Sequence, residues 1–476
     1  MLAAAMLAPS GIMQAQEVGS CNCFCVIAGR NTTIDGSVLM AHNEDDSGEM
    51  MLNMYVVPRA EQRNKYLWAE FPGTSDCDHF LNEWGVAIAS DGCPSREDRD
   101  DLTDGGVLYE TRLTVARQAR SAREAVKIIG HLVETRGYKA SGRTYVIADT
   151  HEGWICSVVR GRHWVAKRIA DDEVMVLPNN YIIDEVNLAD TLNYYGASDI
   201  VSYAQQCGWY SPETDGRFSF KKAYCDPKYY TYEHNVIRQL CAQQYLTGKT
   251  LEPDPNTFPF AVKPNRKIGI ADLIQIMQCH GENSEHKFVY KRERPWNHPV
   301  GICTDVTVLS AIFQLRANMP REVGCVMWVC AGRPCTEPYH PWYLGITESP
   351  SCWHRYNTAE EAIGRHFSDV ENKRINYPDA IYWQSVDRWA NYATDWYNRI
   401  DSVQQRRDSL QNQLFERHAK FEKILKRFFN PNTQEVKHRD ALENLLNAYI
   451  AGQYRGKTNV VPNESLPPGH IRVSCD

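Results

Sequence analysis

The chain contains no internal repeat of solenoid period, no glycine-rich phosphate loop and no low-complexity segment. These absences argue against a repeat array, phosphate-loop nucleotide chemistry and a disordered scaffold. Excess positive charge is also missing. A formal charge of −7 offers no overall basic character, so nucleic acid is not an expected partner. The apolar leader Met1 to Met13 is too short for a transmembrane span. It lacks a basic opening region, yet its small apolar residues read as the remnant of a secretory signal cut near Ala15. Export to the periplasm or the outside of the cell is therefore expected. Val18-Gly19-Ser20-Cys21 faintly resembles a lipoprotein cleavage site, against which Glu17 counts. Paired ligands at zinc spacing are absent as well. Cys279 and His280 are adjacent, but one cysteine and one histidine do not hold a metal. No metal or other cofactor is expected.

What the chain does have begins at Cys23. The stretch reads Cys23-Phe24-Cys25-Val26-Ile27-Ala28-Gly29, then Asp35-Gly36-Ser37, then His42-Asn43-Glu44-Asp45. If everything through Asn22 is removed, Cys23 carries both a thiol and an α-amine. Their ordinary pKa values, about 8.5 and about 7.7–8.0, suit direct proton exchange without a separate histidine base. Phe24 to Ala28 is apolar and β-prone and predicts a buried strand. Asn31 to Gly36 is polar and ends in Asp-Gly, a turn signal. Val38 to Ala41 predicts a second strand, with His42 to Asp45 at its end. Such a hairpin returns Asp45 to Cys23, where a carboxylate would orient the α-ammonium group. The alternating Cys21, Cys23 and Cys25 also suit core thiols, disulfide partners or a metal clasp. The residues alone leave these readings open.

The segment resembles the start of the N-terminal-cysteine dipeptidases, the PepD-type Ntn-hydrolases related to secernins. Their cysteine, glycine, Asp-Gly-Ser and Asn-Glu-Asp match Cys23, Gly29, Asp35-Gly36-Ser37 and Asn43-Glu44-Asp45. The likeness continues through Leu81-Asn82-Glu83-Trp84-Gly85-Val86-Ala87, Ser121 to Val126, Gly142 to Tyr145 and Leu177-Pro178-Asn179-Asn180. It extends over Val306 to Ile346, with Gln314-Leu315-Arg316 and Gly332-Arg333-Pro334. The resemblance implies an α+β fold, a four-layer αββα Ntn-hydrolase sandwich of antiparallel sheets. It implies metal-free hydrolysis of dipeptides through a thioester, with Cys23 as nucleophile and Asp45 holding its amine. Asn179 would stabilise the tetrahedral intermediate, with a second donor near Asp91-Gly92. Many relatives carry arginine where this chain has His42; a histidine acts on the thiol only when protonated, so His42 either tunes activity with pH or packs or touches substrate, and the latter is expected. Asp91 and His280 are the other candidate substrate contacts.

A leader and propeptide over 1–22, a catalytic domain over 23–355 and a helical C-terminal extension over 356–476 are expected. Helices are predicted over Thr111 to Ala119, Ala122 to Thr135, Ile270 to Met277, Ala359 to Phe367, Asp379 to Phe428 and Arg439 to Ala451. Strands are predicted over Arg143 to Ala148, Trp154 to Val159, His163 to Lys167, Val174 to Leu177, Ser310 to Leu315, Gly324 to Val329 and Tyr343 to Ile346. Residues 185–267 read as a long irregular excursion that could wall the cleft, and the tail Val460 to Asp476 as extended. Sixteen cysteines make some disulfides plausible in an exported protein. Candidates are Cys77 with Cys93, or pairs among Cys303, Cys325, Cys330, Cys335 and Cys352. Plain buried thiols are the alternative. The helical C-terminal block could pack a second subunit.

The leading expectation is thus an exported cysteine-type dipeptidase that frees Cys23 by cutting itself after Asn22. An N-acyl amide hydrolase of the bile-salt or penicillin amidase type keeps the same machinery. A non-catalytic peptide-binding member would keep residues ahead of Cys23.

Overall fold

A computed structural model describes residues 23–46, 52–73, 77–103, 106–281, 301–304, 306–350, 353 and 400–454. The expected leader and propeptide over 1–22, with Cys21, and also Cys352, the segments 359–367 and 379–399 and the tail from Val460 lie outside the described residues, as does the side chain of Cys77.

The predicted hairpin is present. β1 (Phe24–Ala28) and β2 (Val38–Asp45) pair antiparallel, with Cys25 opposite His42 and Phe24 opposite Asn43. The Asp-Gly-Ser motif is the turn between them. Gly36 takes φ +74°, and Asp35 Oδ1 accepts from the Ser37 amide at 3.2 Å and its hydroxyl at 2.5 Å. Gly29 serves packing instead. A Cβ there would lie 2.4 Å from the Ala170 carbonyl oxygen.

β1 and β2 are inner strands of a six-stranded sheet. Its order is β10 (Val174–Leu177), β1, β2, β12 (Thr307–Leu315), β13 (Cys325–Ala331) and β14 (His340–Tyr343), all antiparallel. The second sheet has eight strands. Its order is β11 (Tyr194–Gly196), β9 (Trp164–Ile169), β8 (Gly153–Gly161), β7 (Tyr138–Ala148), β6 (Ala87–Gly92), β5 (Cys77–Asn82), β4 (Tyr66–Glu70) and β3 (Asn53–Val57).

Strand periodicity assigns the layers. In the eight-stranded sheet, Leu67, Ala69, Ala87, Ala89, Val146 and Ala148 join the core shared with the first sheet. Their neighbours Tyr66, Trp68, Ile88, Tyr145 and Ile147 face the other way. That outer face is covered by α1 (Glu110–Gln118) and α2 (Ala122–Arg136). Ser121 caps α2 through the Glu124 amide, and Gly137 at φ +79° ends it. Beyond the six-stranded sheet lie α3 (Glu233–Thr247), against β10, and α4 (Ile270–Met277), against β2 and β12. α5 (Ile400–Leu425) and α6 (Arg439–Tyr454) complete this layer. Arg316 after β12 pairs with Glu422 of α5, and α6 covers β14. The result is an α+β, four-layer αββα sandwich, and the described C-terminal helices share its core.

Three expectations shift. Residues 185–267 are not an irregular excursion throughout, because they contain α3, most of whose side chains are buried. The last strand is His340–Tyr343 rather than Tyr343 to Ile346. After Tyr343 the chain turns, with the Gly345 amide donating to Glu322 O at 2.9 Å. Cys93, Cys303, Cys325, Cys330 and Cys335 are thiols, not disulfide partners, among the described residues.

Candidate active site

Cys23 lies directly ahead of β1 and is buried. Side-chain alternation along β1 and β2 turns Cys25 and His42 toward the eight-stranded sheet. There the Cys25 thiol donates to Asp91 Oδ1 at 3.1 Å, and His42 Nε2 stands 3.3 Å from the same oxygen. The Cys23 sulfur, a His42 ring nitrogen and an Asp91 carboxylate oxygen all lie within 4.8 Å of one another. Cys23 Sγ is 3.8 Å from Glu44 Oε2 and 3.7 Å from the Asp45 carbonyl oxygen. Glu44 Oε2 is in turn 3.7 Å from His42 Nε2.

Asp45 ends β2 and is held by two hydroxyls. Thr307 Oγ1 donates to Oδ1 at 2.6 Å, and Thr304 Oγ1 donates to Oδ2. Burial pushes its carboxyl from 3.8 up to about 7, against the opposing pull of Thr304, Thr307, Arg238 and His42. In the full chain the nitrogen of Cys23 is a peptide group, so no ammonium offsets that burial.

Arg238, on α3, is fully buried and ties the site together. Its Nη1 donates to the Cys23 carbonyl oxygen at 2.9 Å. Its Nη2 donates to Asn179 Oδ1 at 2.8 Å and to Asn235 Oδ1 at 2.7 Å. Burial lowers its pKa, opposed by Asp45, Asp91 and Cys23. A guanidinium stays charged nonetheless. Asn179 follows β10. Its Nδ2 donates to Gly92 O at 3.1 Å, leaving a second N–H on that nitrogen for another acceptor.

Cys23, His42, Asp45, Asp91 and Asn179 are therefore gathered around β1 and β2. His280 is assembled elsewhere, with Cys303 and Cys335. Arg238, Asn235, Thr304, Thr307 and a role for Glu44 are additions from the structure. Asn235 and Arg238 are three residues apart on one helix, but their stretch gave no clear helical pattern. Glu44 sits inside the Asn43-Glu44-Asp45 motif, which was the one available signal. Among the described residues, two groups have metal-ligand character, Cys23–His42–Asp91 and His280–Cys303–Cys335. A metal on the first would occupy the thiol.

An αββα sandwich with a cysteine before a central strand, ringed by Asp45, Asn179 and Arg238, defines a candidate thiol hydrolase. Residues 99–372 match the model of peptidase family C69, and the chain belongs to that family. It is 26% identical over 367 residues to the probable dipeptidase B of Lactococcus lactis subsp. lactis, covering 70% of this chain and 76% of that protein. Identity to the probable dipeptidase of Salmonella dublin is 25%, over 68% of this chain and 81% of that one. Dipeptidase A of Lactobacillus helveticus is 24% identical, over 70% and 77% respectively. Among solved structures, penicillin V acylase from Agrobacterium tumefaciens is similar over 68% of this chain and 86% of its own, at 13% identity and TM-score 0.32.

Proposed function

We propose that this protein is a cysteine-type dipeptidase whose nucleophile, Cys23, becomes the mature N-terminus when the peptide bond after Asn22 is cut. Family membership and the dipeptidase relatives support the reaction class. The observation that carries the mechanism is the convergence of Asp45, Arg238 and Asn179 on the start of β1.

In this reading the α-amine takes the Cys23 thiol proton as sulfur bonds to the substrate carbonyl carbon. The resulting oxyanion accepts from the second N–H of Asn179. The C–N bond then breaks, the leaving amine takes the proton back, and a thioester remains. Water, deprotonated by the same amine, attacks the thioester and returns the thiol. Asp45 holds the amine in place. Arg238 fixes the Cys23 carbonyl and the Asn179 amide, so nucleophile and oxyanion donor keep one relative position. Glu44 and Asp91 place carboxylates beside the sulfur, which suits a substrate with a free α-ammonium group. A dipeptide meets that requirement and an N-acylated one does not.

The test is N-terminal sequencing of the protein made with its leader, beside Cys23→Ala, followed by turnover of a dipeptide and its N-acetyl form. The expected result is a chain starting at Cys23, an uncut variant, and turnover of the unacetylated dipeptide alone. An active protein that retains residues before Cys23 would overturn the mechanism.

A further inference from the structure

His280, Cys303 and Cys335 come from three separate segments and meet in the interior. His280 follows α4, Cys303 precedes β12 and Cys335 follows β13. One ligand atom from each lies within 4.8 Å of the other two, and all three residues are buried. Cys335 is in hydrogen-bond reach of both partners. The backbone around them is fixed. The Cys279 carbonyl accepts from Ile302 N at 2.9 Å and Cys303 N at 3.1 Å. Arg407 of α5 donates to the Cys335 carbonyl at 2.6 Å, and the Arg333 carbonyl accepts from Thr336 N and Glu337 N at 3.1 Å each.

We infer that His280, Cys303 and Cys335 form a structural binding site for a soft divalent cation, with Zn²⁺ the best match. An imidazole and two thiolates are zinc-type donors and fill three of the four positions of a tetrahedral site, with water as the fourth ligand. Zinc bonds of about 2.0–2.3 Å in a tetrahedron separate neighbouring ligand atoms by about 3.4–3.8 Å. The cluster therefore needs little contraction. Binding replaces two S–H bonds with two Zn–S bonds and releases two protons, with no electron transferred. The neutral imidazole donates through one ring nitrogen. The two thiolates cancel the charge of the ion, which makes it tolerable in an interior.

The placement gives the ion a purpose. Cys303 adjoins Thr304, whose hydroxyl holds Asp45. The Ile302 carbonyl, just before, accepts from Asn43 of β2 at 2.9 Å. A metal would clamp this segment to α4 and to the end of β13, fixing the threonine that positions the candidate catalytic carboxylate.

The experiment is metal analysis of the purified full-length chain, followed by Zn²⁺ titration under reducing conditions and a Co²⁺ absorption spectrum. One equivalent of zinc is expected, with sulfur-to-cobalt charge-transfer bands after exchange and a melting temperature that falls when a chelator strips the ion. Cys335→Ser and His280→Gln should lose the equivalent, whereas Cys207→Ser should keep it. A folded wild-type chain that takes up no zinc, with Cys303 and Cys335 titrating as two thiols or bonded as a disulfide, would overturn the inference. Metal content is read without turnover, so this result stands apart from the peptidase test.

Discussion

Arg238 donates one guanidinium nitrogen to the side-chain oxygen of Asn179 at 2.8 Å. Its other terminal nitrogen reaches the carbonyl of Cys23 at 2.9 Å. One buried cation thus bridges the candidate nucleophile and the candidate oxyanion donor. His42 also lies beside Cys23. A histidine supplies positive charge only when protonated. Arg238 provides a permanent one close enough to Cys23 to interact with it.

Removing that cation should be costly twice over. Arg238→Met leaves Asn179 Oδ1, Asn235 Oδ1 and the Cys23 carbonyl without their donor. The expected loss of stability is about 3–5 kcal/mol, measured by urea unfolding. Arg238→Lys keeps the charge but not the planar fork. It should retain most of the stability while kcat for a dipeptide falls by about 10-fold or more. Equal kcat in the lysine variant would show that charge alone suffices.

Cys23→Ala should abolish both self-cleavage and turnover, with dipeptide hydrolysis reduced by more than about 10³-fold. Mass spectrometry of the wild-type protein quenched during turnover should find the acyl group on Cys23. An acyl group on Cys25 instead would move the nucleophile two residues along β1.

Asp45 gives the uncut chain a pH signature. Its carboxyl, raised from 3.8 to about 7 by burial, binds its proton more tightly folded than unfolded. The stability it contributes is fully present below the unfolded value and is lost as pH rises through about 7. Unfolding midpoints of uncut Cys23→Ala should therefore fall across this window, and Asp45→Asn in the same background should remove that slope. In the processed chain the new α-ammonium group should lower the Asp45 pKa and flatten the profile. A mature enzyme with the same slope as the precursor would mean that the amine does not reach Asp45.

Glu44→Gln should separate binding from chemistry. Loss of a charge-assisted contact to the substrate ammonium is worth about 1.5–3 kcal/mol, so KM should rise about 10- to 100-fold. kcat should change little. A fall in kcat at constant KM would assign Glu44 to proton transfer or thiol positioning instead.

Gly29→Ala tests the packing of the hairpin. The added methyl meets the Ala170 carbonyl oxygen at 2.4 Å, and backbone does not yield as a flexible side chain would. A destabilisation of about 1–3 kcal/mol is expected, measured by thermal or urea unfolding. Gly36→Ala should also destabilise, but for a different reason. Its φ of +74° disfavours any side chain, although the space there is open.

Much of this protein is written locally. Phe24 to Ala28, Val174 to Leu177 and Ile270 to Met277 fold over the spans their periodicity predicts, because apolar pattern and turn chemistry act between near neighbours. Ser121 and Gly137 bound α2 for the same reason. The Cys23-to-Asp45 hairpin was legible too, since Asp35-Gly36-Ser37 sets its turn and strand alternation sets its faces. β3 and β4 carried no comparable signal, because five-residue apolar runs are too short for periodicity to tell strand from helix. α3 was hidden in a polar, aromatic stretch whose helical periodicity is weak.

Long-range placement is another matter. Nothing near Arg238 in the sequence says that its guanidinium meets Cys23, 215 residues earlier. Nor does local pattern say that His280 stands with Cys303 and Cys335 rather than with Cys23. Residue types and spacing determined the hairpin, the candidate nucleophile and the family likeness. Only the packing of α3 and α4 on the six-stranded sheet decided which buried charges and sulfurs meet. Those meetings depend on surfaces that exist only after distant segments have closed over a common core.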